Sequence, residues 1–216
     1  PTQNVSMSVQ NGGETGKYFL SAGYLNRDGI LVNTGFKQGI TRLNSEFKIG
    51  KRVTVGEHLS ASFSNVAGLN NGNQINEGLR MSPLTPLFDD DGFYGGSKNS
   101  IGTSNPRNPL AQLDRGADNN NKLFRVFGDI YLAAEFFEGL TFKTTLAGRV
   151  ESNSQRRFTA LDPEHGEPLS TNTLTEQSRN GFNWTWTNTL NYNKSFGEHS
   201  VNALVGIEAL SENNRA

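Results

Sequence analysis

Thr41-Arg42-Leu43-Asn44-Ser45-Glu46-Phe47-Lys48-Ile49 is the stretch that decides the fold. In an extended chain successive side chains point to opposite faces. Arg42, Asn44, Glu46 and Lys48 therefore share one face, and Thr41, Leu43, Ser45, Phe47 and Ile49 share the other. A helix would scatter the same charges around its axis. The period of two recurs along the chain. Val53, Val55, Leu59, Ala61 and Phe63 oppose Thr54, His58, Ser60, Ser62 and Ser64. Phe182, Trp184, Trp186, Leu190 and Tyr192 oppose Asn183, Thr185, Thr187, Thr189 and Asn191. Leu140, Phe142, Thr144, Leu146 and Val150 alternate with Lys143, Thr145, Arg149 and Glu151.

This pattern predicts eight strands, at residues 3–10, 17–25, 37–49, 53–65, 122–137, 140–152, 181–193 and 199–211. Several are long for a soluble sheet and suit a tilted strand crossing a bilayer. The connections alternate in length. Short turns are expected at Asn11–Gly16, Gly50–Arg52, Glu138–Gly139 and Lys194–His199. Long segments are expected at Val66–Asn121 and Asn153–Asn180, with an intermediate one at Asn26–Phe36. Short connections on one side and long ones on the other mark outer-membrane barrels, with turns in the periplasm and loops outside. A soluble sandwich has no reason to sort its connections by parity. No repeat, low-complexity tract or domain boundary stands out.

Composition sharpens the choice. Hydrophobic residues make up 34% of 216 residues, which is low for a protein with a generous core and close to the disordered range, yet 14 Phe, 5 Tyr and 2 Trp argue against disorder. The mean hydropathy is −0.56. A barrel wall reconciles the two, because only one face of each strand meets lipid. Net charge is −1, which supplies no field for nucleic acid. There is no cysteine, hence no disulfide framework and no thiolate metal site. No apolar run reaches the length of a transmembrane helix. Pro1-Thr2-Gln3-Asn4 is polar and lacks the start of a signal peptide.

The chemistry-bearing residues are sparse. Aromatics gather near expected strand ends: Tyr18 and Tyr24, Phe136 and Phe137, Phe182 with Trp184 and Trp186, Tyr192 with Phe196. Set against polar opposite faces, these read as interfacial girdles. Asp89-Asp90-Asp91-Gly92 could recruit calcium, but no Glu follows at the twelfth loop position, so a solvated acidic turn is the better reading. His58, His165 and His199 are scattered without ligand spacing. No nucleophile motif or phosphate-binding loop is present, and neither an enzyme activity nor a cofactor is expected. The triplets at Asn4, Asn183 and Asn193 read as chance glycosylation matches in an Asn-rich chain.

The lumen-facing candidates are Arg42, Asn44, Glu46, Lys48, Thr185, Thr187 and Asn191; Leu43, Phe47, Val55, Leu59, Phe63, Trp184, Trp186 and Leu190 are expected to face lipid. Asp89, Asp90, Asp91 and Tyr94 are the candidates for binding in the long loop.

Several stretches resemble the SusC/RagA family of Bacteroidetes TonB-dependent transporters. Lys17-Tyr18-Phe19-Leu20-Ser21-Ala22-Gly23-Tyr24-Leu25-Asn26-Arg27-Asp28-Gly29-Ile30 is similar to a hairpin characteristic of that family, and Phe36 through Ile49 resembles the strand after it. Ser82-Pro83-Leu84 through Asp91-Gly92-Phe93-Tyr94, then Asn108-Pro109-Leu110-Ala111, then Gly139-Leu140-Thr141-Phe142-Lys143 follow in the family's order. The resemblance implies an all-β antiparallel barrel of roughly 22 strands, filled by an N-terminal plug and energised through TonB. It also implies a SusD-like lipoprotein lid, and oligosaccharides or peptides as substrates.

The expectation is therefore a partial transmembrane barrel of about eight strands in the outer membrane, with plug, TonB box and signal peptide lying outside this stretch. Parity puts the start of strand one and the end of strand eight outside the cell, which suits an internal piece whose strands one and eight do not pair. Two alternatives stand beside it: a self-contained eight-stranded adhesin or structural barrel, and a soluble all-β carbohydrate-binding module.

Overall fold

Period-two segments become paired strands when a neighbour satisfies their backbone groups. A computed structural model describes residues 1–68, 73–99 and 105–215. It contains eight strands: β1 (Thr2–Gly12), β2 (Gly16–Asp28), β3 (Gly35–Ile49), β4 (Val53–Ala67), β5 (Asn120–Phe137), β6 (Leu140–Thr159), β7 (Thr173–Phe196) and β8 (His199–Arg215). They form one sheet in sequence order, β1 through β8, with every neighbouring pair antiparallel. The all-β antiparallel class is as expected. The sheet is open, with β1 and β8 as its edges. The closed eight-stranded alternative is therefore not adopted.

The strands run further than the hydrophobic pattern predicts, above all at the end bearing the long connections. β6 continues to Thr159 and β7 begins at Thr173, so the expected Asn153–Asn180 loop shrinks to residues 160–172. The reason is that ladder hydrogen bonds need only backbone. Apart from Leu174, Thr173–Asn180 is polar on both faces and carries no apolar alternation to announce a strand. At the opposite end the hairpins are tight. Gly139 sits at φ 90° between β5 and β6, where a Cβ would meet Asn193 O at 2.4 Å. Only glycine accepts that backbone without strain.

The long connection after β4 is not featureless. It carries α1 (Gln74–Arg80), a single 3-10 turn at Ser97–Asn99, and α2 (Pro109–Arg115). Asn108 caps α2, its side chain accepting from Leu110 N at 3.0 Å and Ala111 N at 3.1 Å, and Pro109 opens the helix. The aperiodic loop hides both helices, and the Asn108-Pro109 start is the one local cue to α2. Residues 69–72 and 100–104 of this connection lie outside the described residues.

A single sheet has little interior of its own. Among the described residues only Ala111 and Leu113 are buried apolar side chains, and both belong to α2. Leu59, Phe63, Ile130 and Trp186 keep two-fifths or more of their surface exposed. Apolar surface left open on this scale asks for a covering medium or partner.

Candidate functional site

Directly paired residues of an antiparallel ladder project to the same side, so register sorts the side chains. The row Asn44–His58–Asp129–Ala147–Thr185 lies on one face. So does the next row, Glu46–Gly56–Tyr131–Thr145–Thr187. Arg42, Lys48 and Asn191 share this parity, which brings all seven strand candidates onto one side. The opposite face carries Leu43–Leu59–Gly128–Gly148–Trp184 and Phe47–Val55–Leu132–Thr144–Asn188, together with Phe63, Trp186 and Leu190. Two polar groups on that apolar face are tied up locally. Trp186 Nε1 donates to Thr144 Oγ1 at 3.0 Å, and Ser45 Oγ donates to the Glu57 carboxylate at 2.5 Å.

The polar face holds a network centred on Glu46. Lys17 Nζ lies 3.0 Å from Glu46 Oε1, and Tyr131 donates its hydroxyl to Glu46 Oε2 at 2.6 Å. Tyr131 starts on β5 and reaches β3 by lying over Gly56 of β4, where a Cβ would come within 2.6 Å of its ring. Lys143 stands 4.3 Å from the Tyr131 ring centroid, and the His58 ring stacks on Tyr131 while approaching Asp129 Oδ1 to 3.1 Å. Further along, Arg125 Nε meets Glu151 Oε2 at 2.9 Å, and Arg149 binds the same carboxylate. Thr187 Oγ1 donates to Glu208 at 2.9 Å. Thr185 sits between Ala147 and Leu210, Arg42 between Ser21 and Ser60, and Asn44 beside Phe19 and His58.

The long connections build a second cluster. Arg115 forks onto Glu164 at 2.7 and 3.0 Å, and Arg107 Nε meets Asp162 Oδ2 at 2.8 Å. Asn119 pairs with the backbone of Phe158 through both its amide groups. These contacts lock the connection after β4 against the one after β6. Between them lies a cavity of about 330 Å³, lined by α1, α2 and the C-terminal end of β6. The third connection joins through Asn33, which donates to Asp114 Oδ1 at 2.7 Å.

The loop candidates lie outside this cavity. Asp89 spends its carboxylate on its own turn, accepting from Asp91 N at 3.1 Å and Phe93 N at 2.8 Å. Asp90 and Asp91 are exposed. Tyr94 packs on Phe88, lies under the Arg115 guanidinium and donates to Asp114. That hydrogen bond, with some burial, holds its hydroxyl pKa above the usual tyrosine value. Among the described residues no three His, Asp or Glu side chains gather as a metal site. Arg107, Arg115, Asp162 and Glu164 escaped the sequence reading, since residues some fifty apart in two aperiodic loops leave no local signal.

No family model matches the chain. Its sequence is 28% identical over 212 residues to the TonB-dependent receptor P3 of Formosa agariphila, covering 94% of this chain and 21% of that protein. It is 25% identical to TonB-dependent receptor P39 of the same organism, covering 94% of this chain and 19% of that protein. The chain thus spans about a fifth of the length of the curated relatives it matches. Among solved structures, the RagAB peptide importer in its closed-closed state superposes with a TM-score of 0.74 at 21% identity, over 98% of this chain and 25% of that one. P. aeruginosa FpvA, in a complex with a heterologous pyoverdine, superposes more loosely, at a TM-score of 0.54 and 14% identity, over 97% of this chain and 26% of that one. The sheet thus has the fold of a TonB-dependent receptor barrel wall. The relatives are TonB-dependent receptors, and the resemblance carried by Lys17–Ile30 and the segments after it holds.

Proposed function

We propose that this chain forms part of the wall and outer mouth of an outer-membrane TonB-dependent transporter that takes up oligosaccharides or peptides with a SusD-like lipoprotein lid. The observation that carries the reading is the two-faced sheet. One face is largely apolar through the middle of the sheet, interrupted by the Ser45–Glu57 hydrogen bond, while the other bears an ionic network reaching from Lys17 to Lys143. Such a sheet separates lipid from a wet lumen. A charged Lys or Arg at the bilayer midplane would cost about 2–4 kcal/mol on the lipid face, so Arg42 and Lys48 belong inside. Tight turns then lie in the periplasm, and the interlocked connections carrying α1 and α2 face the medium. Arg42, Asn44, Glu46, Lys48, Thr185, Thr187 and Asn191 line the passage. Asp89, Asp90, Asp91 and Tyr94 stand on the outer surface, where the lid would dock.

The test is genetic and physical together. Cells lacking the complete gene should lose growth on, or uptake of, at least one oligosaccharide or peptide pool, and loss of TonB should give the same defect. The affinity-tagged full-length protein should bring down a lipoprotein from solubilised outer membranes. Recovery of the protein from the soluble fraction, or a deletion with no uptake defect on either substrate class, would sink the reading.

A further inference from the structure

The cavity between the long connections holds three guanidinium groups, Arg107, Arg115 and Arg157. Two are accounted for, Arg107 by Asp162 and Arg115 by Glu164. Arg157 is different. It follows the polar-face parity of Arg149 and Glu151 up β6, beyond the Arg125–Glu151–Arg149 cluster, and it lines the cavity. Its Nε is buried with no hydrogen-bond partner. A buried donor on a charged group is costly to leave unmade, and native structures rarely do so without a reason.

The neighbouring carboxylates do not meet that need. Glu77 is 8% exposed and accepts from Asn73 Nδ2 at 2.7 Å and Arg107 N at 2.9 Å. Asp162 is 5% exposed; its Oδ1 accepts from Leu169 N, and its Oδ2 is ion-paired with Arg107 at 2.8 Å without forming a hydrogen bond. Glu164 is spent on Arg115. Three cations therefore face three anions, and the cluster is neutral with one guanidinium fork open. A monoanion would take the cluster to only −1, whereas a doubly charged phosphate would take it to −2. A planar carboxylate also matches the fork in geometry. The volume, about 330 Å³, lies at the small end for ligand sites and admits one sugar ring or one amino-acid unit. Buried Gln74 and the amide of Asn73 border the space beside Arg157, with Phe158 and Leu169 as its apolar wall.

We propose that Arg157 receives the carboxylate of a solute entering this cavity, so that the outer mouth prefers carboxylate-bearing units over neutral ones. The inference rests on the transport reading for its biological use, but binding itself requires no transport. The carboxylate has two possible sources, an acidic sugar or an acidic peptide side chain, and the experiment separates them.

The full-length protein in detergent is titrated by saturation-transfer NMR with galacturonate against galactose, and with acetyl-glutamate amide against acetyl-glutamine amide. At least one acidic probe should bind tenfold or more tightly than its neutral partner, and the pair that shows the preference names the source. Arg157→Gln should abolish the preference, and Arg157→Lys should restore part of it. In the unaltered protein the preferred acid should also shield Arg157 from phenylglyoxal, read by mass spectrometry, so the result does not hang on whether a variant folds. No acidic preference in either pair, a preference that survives Arg157→Gln, or labelling of Arg157 unaffected by the acid would each overturn the proposal. A failure here with intact uptake would leave the transport reading standing.

Discussion

Tyr131 and Glu46 are joined by a 2.6 Å hydrogen bond although a whole strand separates them. The phenol on β5 crosses β4 to reach β3, and Gly56 is the gap it crosses. This makes three strands answerable to one contact, and it gives the polar face a fixed centre.

Tyr131→Phe should lower the stability of the refolded protein by about 1.5–3 kcal/mol, the usual worth of a hydrogen bond to a charged group. Gly56→Val should displace the ring and cost about 1–3 kcal/mol through overpacking. Since both changes remove the same contact, the double variant should cost clearly less than their sum. Urea titrations in detergent micelles measure all three.

Nitroxide labels test the sorting of faces. At positions 42 and 46 they should be relaxed by a water-soluble nickel chelate, and at 43 and 47 by oxygen dissolved in the bilayer. The reverse pattern would place the network of Lys17, Glu46 and Tyr131 against lipid.

Arg115→Ala should leave Glu164, a carboxylate with its side chain 8% exposed, without its counterion. Arg115 is a quarter exposed, so the cost should stay below that of a fully buried pair, at about 1–3 kcal/mol. The loss should fall on the connections rather than the sheet. Amide exchange in residues 105–119 and 160–169 should rise by more than tenfold, while β3 through β6 keep their protection. Uniform exchange across the strands would contradict a local clamp.

Tyr94 should ionise above the ordinary tyrosine value of 10.0, chiefly because its hydroxyl donates to Asp114. The raised pKa means that its contribution to loop stability is complete below pH 10 and disappears as pH rises through the folded-state value. Neutral and mildly acidic media should therefore leave this contact alone. Ultraviolet difference spectra of the unaltered protein and of Asp114→Asn read it, and the variant should ionise at lower pH.

Much of this molecule was legible in its sequence because one face of each strand is apolar. Arg42 through Lys48 announced β3, and the tight turns announced the hairpins. Where no apolar face is required, the signal vanished. The outer reach of β7 from Thr173 is, apart from Leu174, polar on both sides and looked like loop, and α2 was hidden although Asn108-Pro109 is a sound helix start. The candidate site divided in the same way. Parity placed the seven strand residues together, but Tyr131 over Gly56 depends on three strands at once. The Arg107–Asp162 and Arg115–Glu164 pairs join segments that only the folded chain brings near. The three aspartates from Asp89 drew attention by charge alone, and Asp89 proved to be holding its own turn.

The unbroken order β1 to β8 also bears on how the sheet is put together. Seven ladders join strands that are consecutive in the chain, so most can close through a turn of a few residues. The β6–β7 ladder closes across residues 160–172, and the ladder between β4 and β5 has furthest to go, for it must close across residues 68–119. Loop closure over about fifty residues rather than two costs on the order of 3 kcal/mol more. Assembly should therefore pass through two preformed halves, β1–β4 and β5–β8, and the seam where Phe63 meets Phe124 sets the pace at which they become one wall.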